Sequence, residues 1–262
     1  MLRFEITPIH FSPFTIHYSL FSLPAASNDA ATNMAIDMAL LETVPKATAI
    51  FRHYRWATPT VTFGYAQRIN EVKTIVTDDV QLCRRPTGGG IVDHRNDWTY
   101  SLVLHSNLKA AQIPATELYA GIHQCLQQTL AAQTIETQLA PCPRGCEQPH
   151  LKSQISNFKP PGPSQCFTLP VANDVIHPNG QKIAGAAIKR TRQGLLIQGS
   201  IDRASLPDTF NFQRLSKALA HALAKRFNLE LKTSVSYPHL PDEQRIEQAR
   251  QRFESETWTK RR

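Results

Sequence analysis

Along residues 28–45 the apolar side chains Ala31, Met34, Met38 and Leu41 recur at three- and four-residue spacing, which predicts an amphipathic helix with that stripe in the core. Asn28 or Asp29 stands in front as its cap, and Pro45 closes it. Residues 49–56 and 60–65 then alternate, predicting two strands broken at Thr58-Pro59, a hairpin or a bent pair. A short strand at 81–85 runs into a glycine turn, and a strand at 98–104, rich in aromatic and β-branched residues, leaves it. Helical spacing returns at 114–133, where Leu118, Ile122, Cys125, Leu126 and Leu130 share a face and place Cys125 in the core as a small hydrophobe.

Six of the eighteen prolines fall within 141–163, so that stretch reads as a long loop. Three strands follow at 174–177, 182–189 and 194–201, joined by turns at Pro178-Asn179-Gly180 and Arg192-Gln193-Gly194 into an antiparallel meander. Helices at 210–227, with Leu215, Leu219 and Leu223 in register, and at 242–258 close the chain. An opening strand is expected at 16–20. The pattern is that of an α/β (α+β) protein, and 262 residues are read as one domain, 1–262.

Composition adds little to this except in sign. Apolar residues make up 41% and charged residues 19%, as in ordinary globular proteins. The net charge of +8 favours acidic carrier proteins or domains, phosphates or nucleic acid as partners. Nucleic acid is disfavoured, because basic residues are dispersed except at Lys260-Arg261-Arg262. Five cysteines without regular spacing argue for a reducing cytoplasm and free thiols. The apolar N-terminal region is broken by Glu5 and two histidines, unlike a signal peptide, and no stretch reaches the ~20 apolar residues of a membrane span.

Candidate chemistry begins at Arg84-Arg85-Pro86-Thr87-Gly88-Gly89-Gly90-Ile91-Val92-Asp93-His94. Three successive glycines let backbone amides approach an anion or carbonyl that any side chain would push away. A second constellation, Lys182-Ile183-Ala184-Gly185-Ala186-Ala187, leaves space for a slender chain beside an ammonium group. Taken without the glycine run, the default for this lysine is a solvent-facing position on an edge strand.

Asn33-Met34-Ala35 with Asp37, Arg52-His53-Tyr54-Arg55-Trp56 with Pro59, Gly64-Tyr65-Ala66-Gln67, the 84–94 run, 182–190 and Gln198-Gly199-Ser200-Ile201 occur in that order. Together they resemble the lipoate-protein ligase and octanoyltransferase family, of the superfamily that includes biotin-protein ligases. The resemblance implies a large mixed, mostly antiparallel sheet plus a small sheet, with helices on one side and an acyl tunnel beneath the glycines. It implies that Arg85, Gly88, Gly89, Gly90 and His94 line the acyl site with Gly185, that Trp56 and Tyr65 help wall it, and that Lys182 binds the acyl carbonyl. It also implies acceptor lysines on lipoyl domains of 2-oxoacid dehydrogenases or the glycine-cleavage carrier.

Two routes to the acyl group follow from the resemblance. Cys166 resembles the nucleophile of cysteine-dependent octanoyltransferases, which take octanoyl from acyl carrier protein and need no cofactor. Asn173-Asp174 resembles the pair that serves the adenylate and metal region of ligases using ATP and Mg²⁺. Long ligases also carry an accessory domain that the two closing helices cannot supply, which favours the transferase route. A metal site at Cys142, Cys146 and His150 with Cys166 is a weaker reading, because the spacing is not that of zinc proteins. A non-catalytic basic binding protein is the remaining alternative.

Overall fold

Consecutive residues are buried on opposite faces of the central strands: Ile50 and Phe51, Leu102 and Val103, Leu196 and Ile197. A sheet patterned this way must be covered on both sides. The computed structural model describes residues 18–142, 170–233 and 240–261. Its strands are β1 (Ser19–Ser22), β2 (Ala26–Asn28), β3 (Thr48–Trp56), β4 (Thr60–Phe63), β5 (Gln81–Arg84), β6 (Val92–Asp93), β7 (Asp97–His105), β8 (Gln138–Leu139), β9 (Val175–Ile176), β10 (Lys182–Arg190), β11 (Gly194–Asp202) and β12 (Glu230–Thr233). The helices are α1 (Ala30–Thr43), α2 (Ile69–Lys73), α3 (Lys109–Gln112), α4 (Ala115–Ala131), α5 (Phe212–Phe227), α6 (Glu243–Glu254) and α7 (Glu256–Thr259).

The large sheet has the order β12-β1-β3-β7-β11-β10-β9-β8, with β2 also on β3. From β3 through β8 every pairing is antiparallel, whereas β1, β2 and β12 join in parallel. Phe51, Leu102 and Ile197 pack with Leu118, Ile122 and Leu126 of α4 and Leu215, Leu219 and Leu223 of α5. On the other face Ile50, Val103 and Leu196 pack with Met34, Met38 and Leu41 of α1, and with Phe253 and Trp258. Helices therefore cover both faces and not one. Asp29 caps α1 by accepting a hydrogen bond from the Thr32 amide at 2.8 Å.

Three further expectations are corrected. Strand β4 does not pair with β3; it is the centre of a separate sheet, parallel to β5 and antiparallel to β6, over a small core of Val61, Phe63, Ile69, Val72 and Ile91. The glycines consequently join β5 to β6 inside that small sheet, and β7 comes later. The closing helix breaks at Ser255, whose Oγ accepts from the Trp258 amide and caps α7. Strand β12 was not foreseen: Asn228, left-handed at φ 53°, ends α5 and returns the chain beside β1. Positions 16 and 17 of the expected first strand lie outside the described residues. Among the described residues no helix is long and apolar enough to cross a membrane.

Candidate active site

Strand β5 delivers two arginines with different tasks. Arg84 is fully buried and donates to the Tyr65 and Gln67 carbonyls at 2.7 Å, the Trp258 carbonyl at 3.0 Å and the Thr259 carbonyl at 2.9 Å. The Trp258 indole donates back to the Arg84 carbonyl at 2.8 Å. This side chain fastens α7 to the base of the glycine run. Arg85 donates from Nε and Nη2 to the Gly88 carbonyl and from Nη2 to the Gly90 carbonyl, the latter at 2.6 Å. Because a trans peptide sets C=O and N–H on opposite sides, the Gly89 amide points away from the guanidinium. Arg85 thus shapes the loop as well as lining the cleft beside it.

The glycines themselves are required by contact. Gly89 has φ 89°, in the left-handed region, and a Cβ there would sit 2.8 Å from Arg85 Nη2. A Cβ on Gly64 would lie 2.0 Å from the Gly89 carbonyl oxygen, so only two bare backbones approach this closely.

Beside the loop opens a cleft of about 440 Å³, counting its mouth, walled by Met34, Tyr54, Trp56, Val92, Ala187 and Gln198. His94 borders it, stacked on Trp56 with ring centroids 4.1 Å apart. Its Nδ1 meets Asp97 Oδ2 at 2.6 Å and its Nε2 meets Thr62 Oγ1 at 2.8 Å. The carboxylate accepts from Nδ1–H, and with the Thr62 hydroxyl at Nε2 both ring nitrogens are engaged. Tyr65, expected in the wall, instead packs on Trp258. Gln198 donates to Asp37 at 2.8 Å and accepts from Thr87 at 2.7 Å, tying the cleft and the loop to the buried Arg52–Asp37 ion pair.

Against Gly185, which borders this cleft, lies Lys182. The pairing register of β10 shifts between Lys182 and Ala184, and this irregularity puts Lys182 on the same side as Gly185, which strict alternation would forbid. A Cβ on Gly185 would lie 2.8 Å from Lys182 Cε and Nζ: the ammonium fills the missing side chain's place. Lys182 Nζ is 2.7 Å from Asp174 Oδ2, with both side chains buried. The Val171 amide also donates to that oxygen at 2.7 Å, while Tyr119 OH donates to Oδ1 and accepts from the Ala186 amide at 3.0 Å. Burial, then the Asp174 charge, raises the Tyr119 pKa well above that of a free phenol, so this hydroxyl stays a donor.

His123, on α4, contacts the Asn173 carbonyl through Nδ1 at 2.6 Å and has no hydrogen-bond partner at Nε2 among the described residues. Burial holds its pKa down to about 4. The folded state therefore binds fewer protons here than the unfolded state between pH 4 and about 6.5, and stability falls as pH drops through that window. Lowering pH from 7 to 4.5 should cost about 2–3 kcal/mol more in wild type than in His123→Leu, as read by urea unfolding.

The structure brings the sequence-derived residues together as two groups, of which Arg85, Gly89, His94 and Gly185 border one cleft. Arg85, Gly88, Gly89, Gly90 and His94 form one; Lys182, Asp174 and Gly185 form the other. They meet where a Gly89 Cβ would touch Ala187 at 3.7 Å. Cys166 lies outside the described residues, as do Cys146 and His150. Cys83 and Cys125 are buried free thiols pushed up by burial to about 12 and about 11, which makes both inert near neutral pH. Cys142 is disulfide-bonded, contrary to the expected set of free thiols. Among the described residues no group of three His, Cys, Asp or Glu could hold a metal ion. Tyr119, His123 and Thr62 were not foreseen, and Gln198 stood out only within a family motif; the spacing of four between Tyr119 and His123, beside Leu118 and Ile122, was the available signal.

Residues 29–229 match the Lipoyl protein ligase A/B catalytic domain. The chain belongs to that family. Among curated members it is 32% identical to "Octanoyltransferase LipM" of Bacillus cereus over 191 residues, covering 70% of this chain and 66% of that protein. The match to this relative thus spans just under two thirds of its length. The protein of the same name from Oceanobacillus iheyensis is 30% identical over 223 residues, 80% of this chain and 76% of its own. Solved family members share the fold: a lipoate-protein ligase A bound with ATP has TM-score 0.69 at 16% identity, covering 92% of this chain and 98% of its own. A bi-partite lipoate protein ligase from Thermoplasma acidophilum has TM-score 0.67 at 16% identity, covering 93% and 96%.

Proposed function

We propose that this chain is an octanoyltransferase of protein lipoylation. It takes an octanoyl group from acyl carrier protein and passes it to a lysine of a lipoyl domain, in the cytoplasm, as a single catalytic domain. The observation that carries this reading is the Lys182 ammonium, held by Asp174 in the space of the absent Gly185 side chain, next to an apolar cleft that Gly185 and Gly89 both border. The name shared by the curated relatives supports it.

In this reading the Cys166 thiolate attacks the thioester carbonyl, a tetrahedral oxyanion forms, and the carrier thiolate leaves. Lys182 stabilises that oxyanion, a role suited to a donor already fixed in a water-poor site, while the backbone of Gly88, Gly89 and Gly90 borders the acyl group. The acceptor amine then attacks the acyl-cysteine, loses a proton, forms the amide and returns the thiolate. Arg85 and His94 keep the loop and cleft in shape. The acidic character of carrier domains complements the +8 charge of the chain.

The ligase alternative rests on the ATP-bound relative in the same fold. It asks Asp174 to serve an adenylate and Mg²⁺, but both its oxygens are already engaged by Lys182, Val171 and Tyr119. No cofactor is assigned. Full-length protein, kept with a thiol reductant because Cys142 is disulfide-bonded, should octanoylate a lipoyl domain from octanoyl-carrier without ATP. Transfer that requires free lipoate or octanoate with ATP and Mg²⁺ would establish the ligase instead.

A further inference from the structure

Three cations converge on two aromatic rings beside the glycine run. Lys189 Nζ lies 5.4 Å and Arg261 Cζ 4.8 Å from the Tyr65 ring, while Arg252 Cζ lies 4.5 Å from the Trp258 ring; the two rings are 5.7 Å apart. Arg261 also reaches Trp258 at 5.8 Å. Among the described residues no carboxylate pairs with any of the three, although neighbouring Arg250 and Lys260 both have acidic partners. Burial, then the two arginines, lowers the Lys189 pKa, so the cluster is self-repelling as it stands. An anion would relieve that repulsion.

The position of the cluster is informative. Gly185, Ala187 and Lys189 alternate along one face of β10; the first two border the cleft, the Lys182 ammonium fills the place of the Gly185 side chain, and Lys189 follows on the same face. Four residues of strand span about 13 Å. Tyr65 adjoins the glycine run, its amide donating to the Thr87 carbonyl at 2.9 Å.

We propose that Lys189, Arg252 and Arg261 bind the phosphodiester of the acyl donor's phosphopantetheine arm while the thioester sits at Lys182; this rests on the transferase reading above. That arm joins sulfur to phosphorus through two amides and spans roughly 15 Å when extended, by ordinary bond lengths. The strand spacing therefore separates Lys182 from the cation cluster by a length comparable to that arm. The Tyr65 and Trp258 rings hold the cations in place through their faces.

The test is equilibrium binding of 4′-phosphopantetheine and of pantetheine to the full chain, with octanoyl transfer measured in parallel. Wild type should bind the phosphorylated compound at least about tenfold more tightly, as charge-assisted hydrogen bonds require. Arg252→Gln/Arg261→Gln should abolish that preference and leave pantetheine binding unchanged. Lys189→Gln, which leaves the Trp258 surroundings intact, should reduce it as well, with tryptophan fluorescence confirming the fold of each variant. Equal affinities in wild type, or a preference that survives both variants, would overturn the proposal. So would tight ATP binding that these variants weaken while phosphopantetheine binding stays the same. Transfer without a phosphate preference defeats this proposal alone; a phosphate preference without transfer defeats the transferase reading and leaves the anion site standing.

Discussion

Lys182→Met should lower kcat/KM for octanoyl transfer by about a hundred- to a thousandfold, the range observed when one oxyanion donor is removed from a preorganised site. The same change should cost about 3–5 kcal/mol of stability, because the Asp174 carboxylate stays buried with its cation gone. The two effects separate in the double variant Lys182→Met/Asp174→Asn. A neutral amide can still engage Tyr119 and removes the stranded charge, so urea unfolding should recover most of the loss while transfer stays low. A lysine that merely held the fold together would show activity returning with stability.

The second large effect is expected at a glycine with no chemistry of its own. In Gly64→Ala the new methyl would sit 2.0 Å from the Gly89 carbonyl oxygen, 2.9 Å from its carbon and 3.1 Å from the Gly88 carbonyl carbon, all backbone atoms. No side chain can swing away, so the loop must move as a unit and break the Arg85 hydrogen bonds that shape it. We expect a loss of about 3 kcal/mol, at the upper end for overpacking, and at least about a hundredfold loss of transfer, since displacements near 1 Å suffice for that. Gly88→Ala is the control. Nothing lies within 4 Å of its Cβ position and its φ is not positive, so stability should stay within about 0.5 kcal/mol of wild type.

The sequence made the site's residues more legible than their duties. Stripes such as Met34, Met38 and Leu41, and Leu215, Leu219 and Leu223, predicted helices that the fold contains, since burial against a sheet imposes the helical period. The β9–β10–β11 meander was readable because its turns are short and local. Membership of the small sheet was not, because β4 pairs with partners some twenty to thirty residues away and nothing in a strand's pattern names its neighbour. Helices on both faces were also missed, although Ile50-Phe51 and Leu102-Val103 lack the alternation of a one-sided sheet.

Among the site residues, Gly89 and Lys182 could be singled out because glycine runs and lysines beside small residues are uncommon without a reason. The two arginines could not be told apart: Arg84 bonds to carbonyls as far off as Trp258 and Thr259, and Arg85 to the loop it precedes. Tyr119 and His123 escaped notice because their importance lies in contacts with residues some fifty to seventy positions away. His94 borders the cleft, but the Asp97 and Thr62 contacts that occupy both its nitrogens are tertiary facts that no sequence pattern shows.

Intact-mass analysis of the reduced full-length protein mixed with octanoyl-carrier, with no acceptor present, tests the acyl-enzyme most directly. The account predicts an increase of about 126 Da, one octanoyl group in place of hydrogen, mapping to Cys166, lost on adding a lipoyl domain and slow to form in Lys182→Met. An unmodified Cys166 together with full transfer by Cys166→Ser would contradict it.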